Sequence, residues 1–426
     1  MTPDGTPTSL LSLVLAVLLA ACGSSEADTV TATVAVSFGG GSAPVVDPPP
    51  SKVVVTARTS AGELRDVGTY GWPPPSSISV SGTAGEALLL ALAAVTDAGT
   101  VPLRAETPFV RVEELAEGRV TLLVGSAGGF VTTPTPLSRG LGTSRATLVL
   151  GRYALGAEGA GTVIVDSATF GARAFADLPL TPTALAAWTP SVIAVVGPDT
   201  AALFDVTSGA SRGFDVPAAD VAGCRAVLGG DGTYFVGPTR EAGSATVVAL
   251  RSAPTAMSVV ARKGGSAAWV TDVGLVVAGG DADSVEVIAP SATAATIPFT
   301  GVEPTLGAIV APLGNRRAAL LGGGKPTRLL SLDCQADCVS TLPETVELAR
   351  GEAFQVGQGA LAFGEDPTGH ARAVYVKPDG TTKPVALSTA RRGASAVPLG
   401  DGYVMVLGGV DDAGQPVLAV ELFTPP

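Results

Sequence analysis

The 426-residue chain reads as all-β, its larger part a seven-bladed β-propeller and its smaller part a β-sandwich. Three observations lead there. The composition holds 54 Gly and 33 Pro, with hydrophobic residues at 46% and charged residues at only 15%; Gly and Pro at that density break helices, and here they punctuate short Val/Leu/Ala runs. An apolar strand ending in glycine then recurs seven times. The marks are Ala154-Leu155-Gly156, Val195-Val196-Gly197, Phe235-Val236-Gly237, Val277-Ala278-Gly279-Gly280, Leu320-Leu321-Gly322-Gly323, Ala362-Phe363-Gly364 and Val406-Leu407-Gly408-Gly409, spaced 41, 40, 43, 43, 41 and 45 residues apart. A period of that length, with four short strands per unit, indicates blades stacked in a ring. Finally, the phase of the ends is cyclic. Pro/Leu segments at 175–180, 295–299, 340–343 and 383–387 mark fourth strands, the last unit runs out after its third, and an orphan segment at 130–137 precedes the first. That orphan is expected to complete blade seven and remove the open edge.

From the N-terminus, residues 10–21 (LLSLVLAVLLAA) form an apolar core too short to span a bilayer as a helix, as in a signal peptide. It ends in Leu19-Ala20-Ala21-Cys22, which resembles the bacterial lipobox, although residues 1–9 carry Asp4 and no Lys or Arg. The resemblance implies removal of residues 1–21 and acylation of Cys22 with palmitate-like chains. At about 0.8 kcal/mol per buried CH₂, several chains hold a soluble domain to a membrane where one would not. Residues 22–28, beginning Cys22-Gly23-Ser24-Ser25, read as a flexible tether. Gly23 in place of Asp resembles the sorting pattern of Gram-negative lipoproteins bound for the outer membrane.

Residues 29–127 show alternating strands near 31–37, 52–57, 78–81, 101–105 and 120–124, with Asp47-Pro48-Pro49-Pro50 and Trp72-Pro73-Pro74-Pro75 as turn clusters. They predict a small sandwich, immunoglobulin-like in size. The run at 87–95 (ALLLALAAV), the longest apolar stretch beyond the N-terminus, is too short to cross a membrane and reads as a buried strand with its turn or a short buried helix.

Residues 128–426 hold the repeat, clearest at the C-terminus. Arg391-Arg392-Gly393 leads an apolar strand into Asp401-Gly402, a favoured hairpin dipeptide; a second strand ends in Gly408-Gly409, and a third carries Val420-Glu421-Leu422-Phe423. This unit resembles a kelch repeat. Kelch propellers that act as copper oxidases use two histidine ligands, and this chain has one histidine, His370, so that chemistry is excluded.

Other chemistry is sparse. No P-loop or H-E-x-x-H motif occurs. His370 lies in a hairpin loop, where a solvated role is expected. Cys334 and Cys338 are close enough to bridge across a tight turn, and a disulfide is expected in an oxidising envelope compartment; a zinc site would need further ligands. Cys224 is expected to be buried. No metal or cofactor is implied. The net charge of −12, with no basic block, excludes a nucleic-acid partner.

The loops after the second strands carry Asp199, Asp281 with Asp283, Glu365 with Asp366, and Asp411 with Asp412. The connections between units carry Arg139, Arg262 with Lys263, Arg350, and Arg391 with Arg392. Propeller geometry puts both sets on one face. They form either a polar recognition surface or turn residues paired locally with arginines. Inner strands such as 394–397, 266–270 and 308–311 carry Ser, Ala and Val and almost no acid or base, which speaks against catalysis in the channel. The sequence thus predicts a lipid-anchored, non-enzymatic envelope protein with a monomeric propeller that binds a protein or glycan. The alternatives are a hydrolase or lyase using loop-face carboxylates, and a structural part of an envelope assembly.

Overall fold

The computed structural model describes residues 28–142, 145–213, 223–237 and 244–426. The leader and Cys22 lie outside them. The first strands are β1 (Thr29–Phe38), β2 (Lys52–Thr59), β3 (Leu64–Gly71), β4 (Ser77–Thr83), β5 (Ala87–Val95), β6 (Leu103–Glu106), β7 (Val110–Arg111), β8 (Thr121–Ser126) and β9 (Gly129–Thr132), with one short helix, α1 (Val112–Ala116). In β2 and β4 burial alternates with period two, since successive side chains leave opposite faces. The apolar run at 87–95 is β5, a strand throughout. It is buried because β2 pairs along one side and β6 and β7 along the other.

These strands build an all-β unit around one core, including Val34, Val55, Leu90, Leu103 and Leu122. Hydrogen bonding does not separate them into two sheets. It runs through one path, β3-β2-β5-β6-β8-β1-β4, bent into a nearly closed, barrel-like sheet. The bend lies at β8: Thr121 to Val124 pair in parallel with β1, whereas Gly125 and Ser126 pair with β6.

Seven four-stranded antiparallel sheets follow. Their inner strands are Arg145–Val149, Ala184–Ala187, Arg225–Gly229, Gly265–Val270, Ala308–Leu313, Ala349–Val356 and Ser395–Gly400 for blades one to seven. Every glycine mark read from the sequence lies in or immediately after a second strand. Blade seven takes its fourth strand from upstream: β9 pairs antiparallel with Glu421–Thr424, from Glu421↔Thr132 to Thr424↔Gly129. The lacing continues to Leu137, whose N–H donates to the Leu418 carbonyl at 2.8 Å. Thus the ring closes as the phase of the repeat requires. In blade one the fourth strand is Ala172–Ala174, ahead of the expected 175–180; beyond it the chain runs on beside the third strand, the Phe175 and Leu178 N–H groups donating to the Thr162 and Ala160 carbonyls, with Leu178 in the core between blades one and two.

Gly280 illustrates why the marks are glycine. It has φ +74°, and a Cβ there would stand 2.5 Å from the Lys263 carbonyl. The ring is not evenly round. Blades four and six meet across blade five, where Thr271 Oγ1 donates to Gln355 Oε1 at 2.7 Å, and the inner strand of blade five is buried along its whole length. The channel is consequently eccentric, its more open walls coming from blades one, three, six and seven.

Candidate functional site

An extended chain sends adjacent side chains to opposite sides, and this sorts the basic pairs of the inter-blade connections. Arg262 is fully buried: Nη2 donates to Glu286 Oε2 at 2.7 Å and Ser284 Oγ at 3.1 Å, and Nη1 to the carbonyls of Ser284 and Gly279. Arg391 repeats the arrangement in blade seven, with Glu421 Oε1 at 2.6 Å and the Ala419 and Gly408 carbonyls. The expectation that these two arginines lie on the binding face is therefore corrected. They fasten the chain entering a blade to that blade's third strand, Arg262 from the last residue of the fourth strand of blade three. Their neighbours Lys263 and Arg392 remain exposed.

Strand pairing shows a common position for the exposed cations. Arg145, Lys263, Arg350 and Arg392 each sit one residue before the position opposite a marker glycine: Gly156, Gly280, Gly364 and Gly409. Four of seven blades thus place a cation at one level, at the end of the ring that carries the acidic loops. Arg145, Lys263 and Arg350 line the channel mouth.

The acidic loop residues divide by role. Asp366 is nearly buried and accepts from Thr368 Oγ1 at 2.6 Å, the Thr368 and His370 N–H groups, and Arg372. The Thr368 hydroxyl first, then these other donors, outweigh burial and hold its carboxyl well below the usual carboxylate range. Asp411 accepts from the Ala413 and Gln415 N–H groups and shapes its own turn. Asp281 accepts the Lys263 N–H at 2.6 Å. Asp199 and Asp283 are exposed, and Glu365 lines the mouth. Asp412 meets His370 Nε2 at 2.7 Å and Arg392 at 3.2 Å, so His370 joins the loops of blades six and seven.

Away from this face, Cys334 and Cys338 form a disulfide in the connection between the third and fourth strands of blade five. Cys224 is buried beside the channel.

The channel holds a cavity of about 1400 Å³. Its upper wall is not the neutral Ser/Ala/Val surface expected from three of the inner strands. Arg225 opens the inner strand of blade three, Arg145 that of blade one, and Glu352 follows Gly351 in blade six. Arg225 Nη1 crosses the ring to donate to the Gly351 carbonyl, and Arg145 Nε donates to the Thr183 carbonyl at 2.9 Å. Burial pushes the Glu352 carboxyl up to about 6 against the pull of Arg225 and Arg145, and burial lowers the Arg225 guanidinium. Further along the same walls stand Leu148, Leu228, Trp269, Phe354 and Pro398. The cavity is thus charged at the loop face and apolar toward the opposite end.

No protein-family model matches the chain, and no curated protein matches it in sequence. Solved structures similar to it include a chain of a mitotic checkpoint complex (13% identity, TM-score 0.46, covering 71% of this chain and 96% of that one). Another is a calcium-binding protein, regucalcin, from Agrobacterium tumefaciens (13%, 0.39, 71% and 98%). A third is a quinonprotein alcohol dehydrogenase-like protein from Bacteroides thetaiotaomicron (11%, 0.44, 84% and 92%). The fold assignment rests on the seven sheets themselves.

Proposed function

We propose that this is a lipid-anchored envelope protein, held through Cys22, whose kelch-like propeller presents its loop face as a non-catalytic binding surface for a protein or glycan. The observation that carries this reading is the loop face itself. Exposed charges of both signs stand there on a rigid frame, with Asp412, His370 and Arg392 joined across two blades and Asp281 fixed to the Lys263 backbone. Side chains held in place before a partner arrives lose little freedom on binding. The N-terminal unit, immunoglobulin-like in this reading, spaces the propeller from the membrane.

The test has two arms, both run on the full chain in its native host. Cys22→Ser moves the protein from the membrane fraction to the soluble one. The charge reversals Arg392→Glu and Asp412→Lys, cross-linked in intact envelopes and compared on a glycan array, abolish capture of the partner, whereas reversing Arg316 and Asp333 elsewhere leaves it intact. Persistence in the membrane after Cys22→Ser refutes the anchor, and unchanged capture after the loop-face reversals refutes the surface.

A further inference from the structure

The chain's single histidine does more than join two loops. We propose that His370 is a proton switch between blades six and seven: its Nδ1 keeps a hydrogen in both charge states, and its Nε2 holds Asp412 when protonated and turns to Arg392 when bare.

The Nδ1 side is settled by counting hydrogens. A threonine hydroxyl has one to donate. That of Thr368 goes to Asp366 Oδ1 at 2.6 Å, an ionised carboxylate that can only accept. His370 Nδ1 stands 2.7 Å from the same hydroxyl oxygen, so the bond between them needs a hydrogen on Nδ1. Asp366 is itself oriented by the Thr368 and His370 N–H groups and by Arg372 Nε at 2.9 Å, which fixes where the hydroxyl points.

On the other edge two groups compete for Nε2. Asp412 Oδ1 lies at 2.7 Å and Arg392 Nη2 at 3.1 Å, and these two meet each other at 3.2 Å. A protonated Nε2 donates to the carboxylate and repels the guanidinium. A bare Nε2 presents a lone pair, which accepts from Arg392 and repels the carboxylate. With a hydrogen already on Nδ1, the second one makes the ring a cation, a change that imidazoles undergo between about pH 5 and 8. Asp412 stays ionised throughout: its hydrogen bond from His370 first, then the charges of His370 and Arg392, hold its carboxyl below the ordinary range against desolvation. Among the described residues, the charged groups that meet the ring are Asp366, Asp412 and Arg392, with Arg372 behind Asp366. The backbone frame does not depend on the ring's charge. The Ala371 N–H donates to the Arg391 carbonyl at 2.7 Å, and Arg392 and Val410 exchange N–H bonds in both directions. What the switch moves is therefore the side chain of Asp412, which is 68% exposed and is released to solvent when the ring is neutral.

The experiment is nitrogen NMR of the full chain carrying Cys22→Ser, with isotope-labelled histidine, so that one ring is read. At about pH 8.5 the neutral ring carries its hydrogen on Nδ1; Thr368→Val moves it to Nε2, and Thr368→Ser keeps it on Nδ1. A double-mutant cycle of His370→Ala and Asp412→Asn reads the contact itself. At about pH 5.5 the pair contributes about 1–2 °C of melting temperature, and at about pH 8.5 that coupling is absent or reversed. A hydrogen on Nε2 of the native ring at the alkaline end, a tautomer indifferent to Thr368→Val, or equal coupling at both pH values overturns the switch. No partner enters these measurements, so failure of the switch is distinguishable from failure of the loop face as a binding surface.

Discussion

Arg391 and Arg392 are chemically alike and adjacent, yet one is sealed inside blade seven and the other faces solvent. Removing one member of a buried, hydrogen-bonded ion pair strands the other charge, which costs about 3–5 kcal/mol, whereas an exposed pair contributes under about 1 kcal/mol. Arg391→Ala therefore strongly lowers the midpoint of urea unfolding, Arg392→Ala barely moves it, and Arg391→Met combined with Glu421→Leu recovers much of the loss. Equal effects of the two alanine variants would contradict the assignment. Both basic pairs were visible in the sequence, as were the acidic positions Glu286 and Glu421. Their partnership was not, because it depends on which side of an extended segment each arginine leaves, and that follows only from the pairing register. The charged residues of the channel escaped for a related reason. The hairpin between first and second strands differs in length among blades, so counting back from a marker glycine does not reach a fixed level. Arg225 and Glu352 thus carry no positional signal, unlike the regular strands at 266–270, 308–311 and 394–397.

Among elements, the closing strand was the most legible, since seven marks and one orphan segment leave a ring a single way to close. β9 gives blade seven its hydrogen-bonded edge, and it also packs, with Val131 in the core shared by blades seven and one and Phe130 edge-on to Phe423 at 5.5 Å. Val131→Asp places an uncompensated charge in that core. It is expected to destabilise the propeller by about 3 kcal/mol or more, seen as a lower melting temperature and faster proteolysis of the C-terminal strands. Val45→Asp, at a fully exposed residue, has no such effect; comparable melting of the two variants would mean that the ring does not depend on β9. The N-terminal sheet was less legible. Its strands were visible from alternation, but alternation says only which face a residue takes, not which strand lies beside it. β8 changes partner from β1 to β6 within six residues, and no local pattern marks that switch.

In the whole molecule, the two parts are joined by more than the short turn between β8 and β9. The Thr121 N–H donates to the Ala168 carbonyl at 2.9 Å, Arg152 reaches Glu114, and Arg58 on β2 meets Asp401, in the first hairpin of blade seven, at 2.5 Å. Beside that last contact lies Glu106, at the end of β6. Burial first, and then the charge and hydrogen bond of Asp401, raise its carboxyl to about 8, outweighing the opposing pull of Arg58 and Arg104. At neutral pH Glu106 is thus mostly protonated and shares a hydrogen bond with Asp401. A carboxyl whose pKa is higher folded than unfolded contributes stability that is complete below its unfolded value, near 4.5, and is lost as pH rises through 8. Melting of the full chain should therefore decline across that window. The part due to Glu106 is on the order of 1 kcal/mol, allowing for its partial exposure to solvent. Glu106→Gln keeps the hydrogen bond to Asp401 without the titration, so calorimetric scans of this variant should follow a flatter profile and gain most over the native chain at the alkaline end. Parallel profiles for the two proteins would place the pH sensitivity elsewhere and leave Arg58, Asp401 and Arg152 as a junction indifferent to protons.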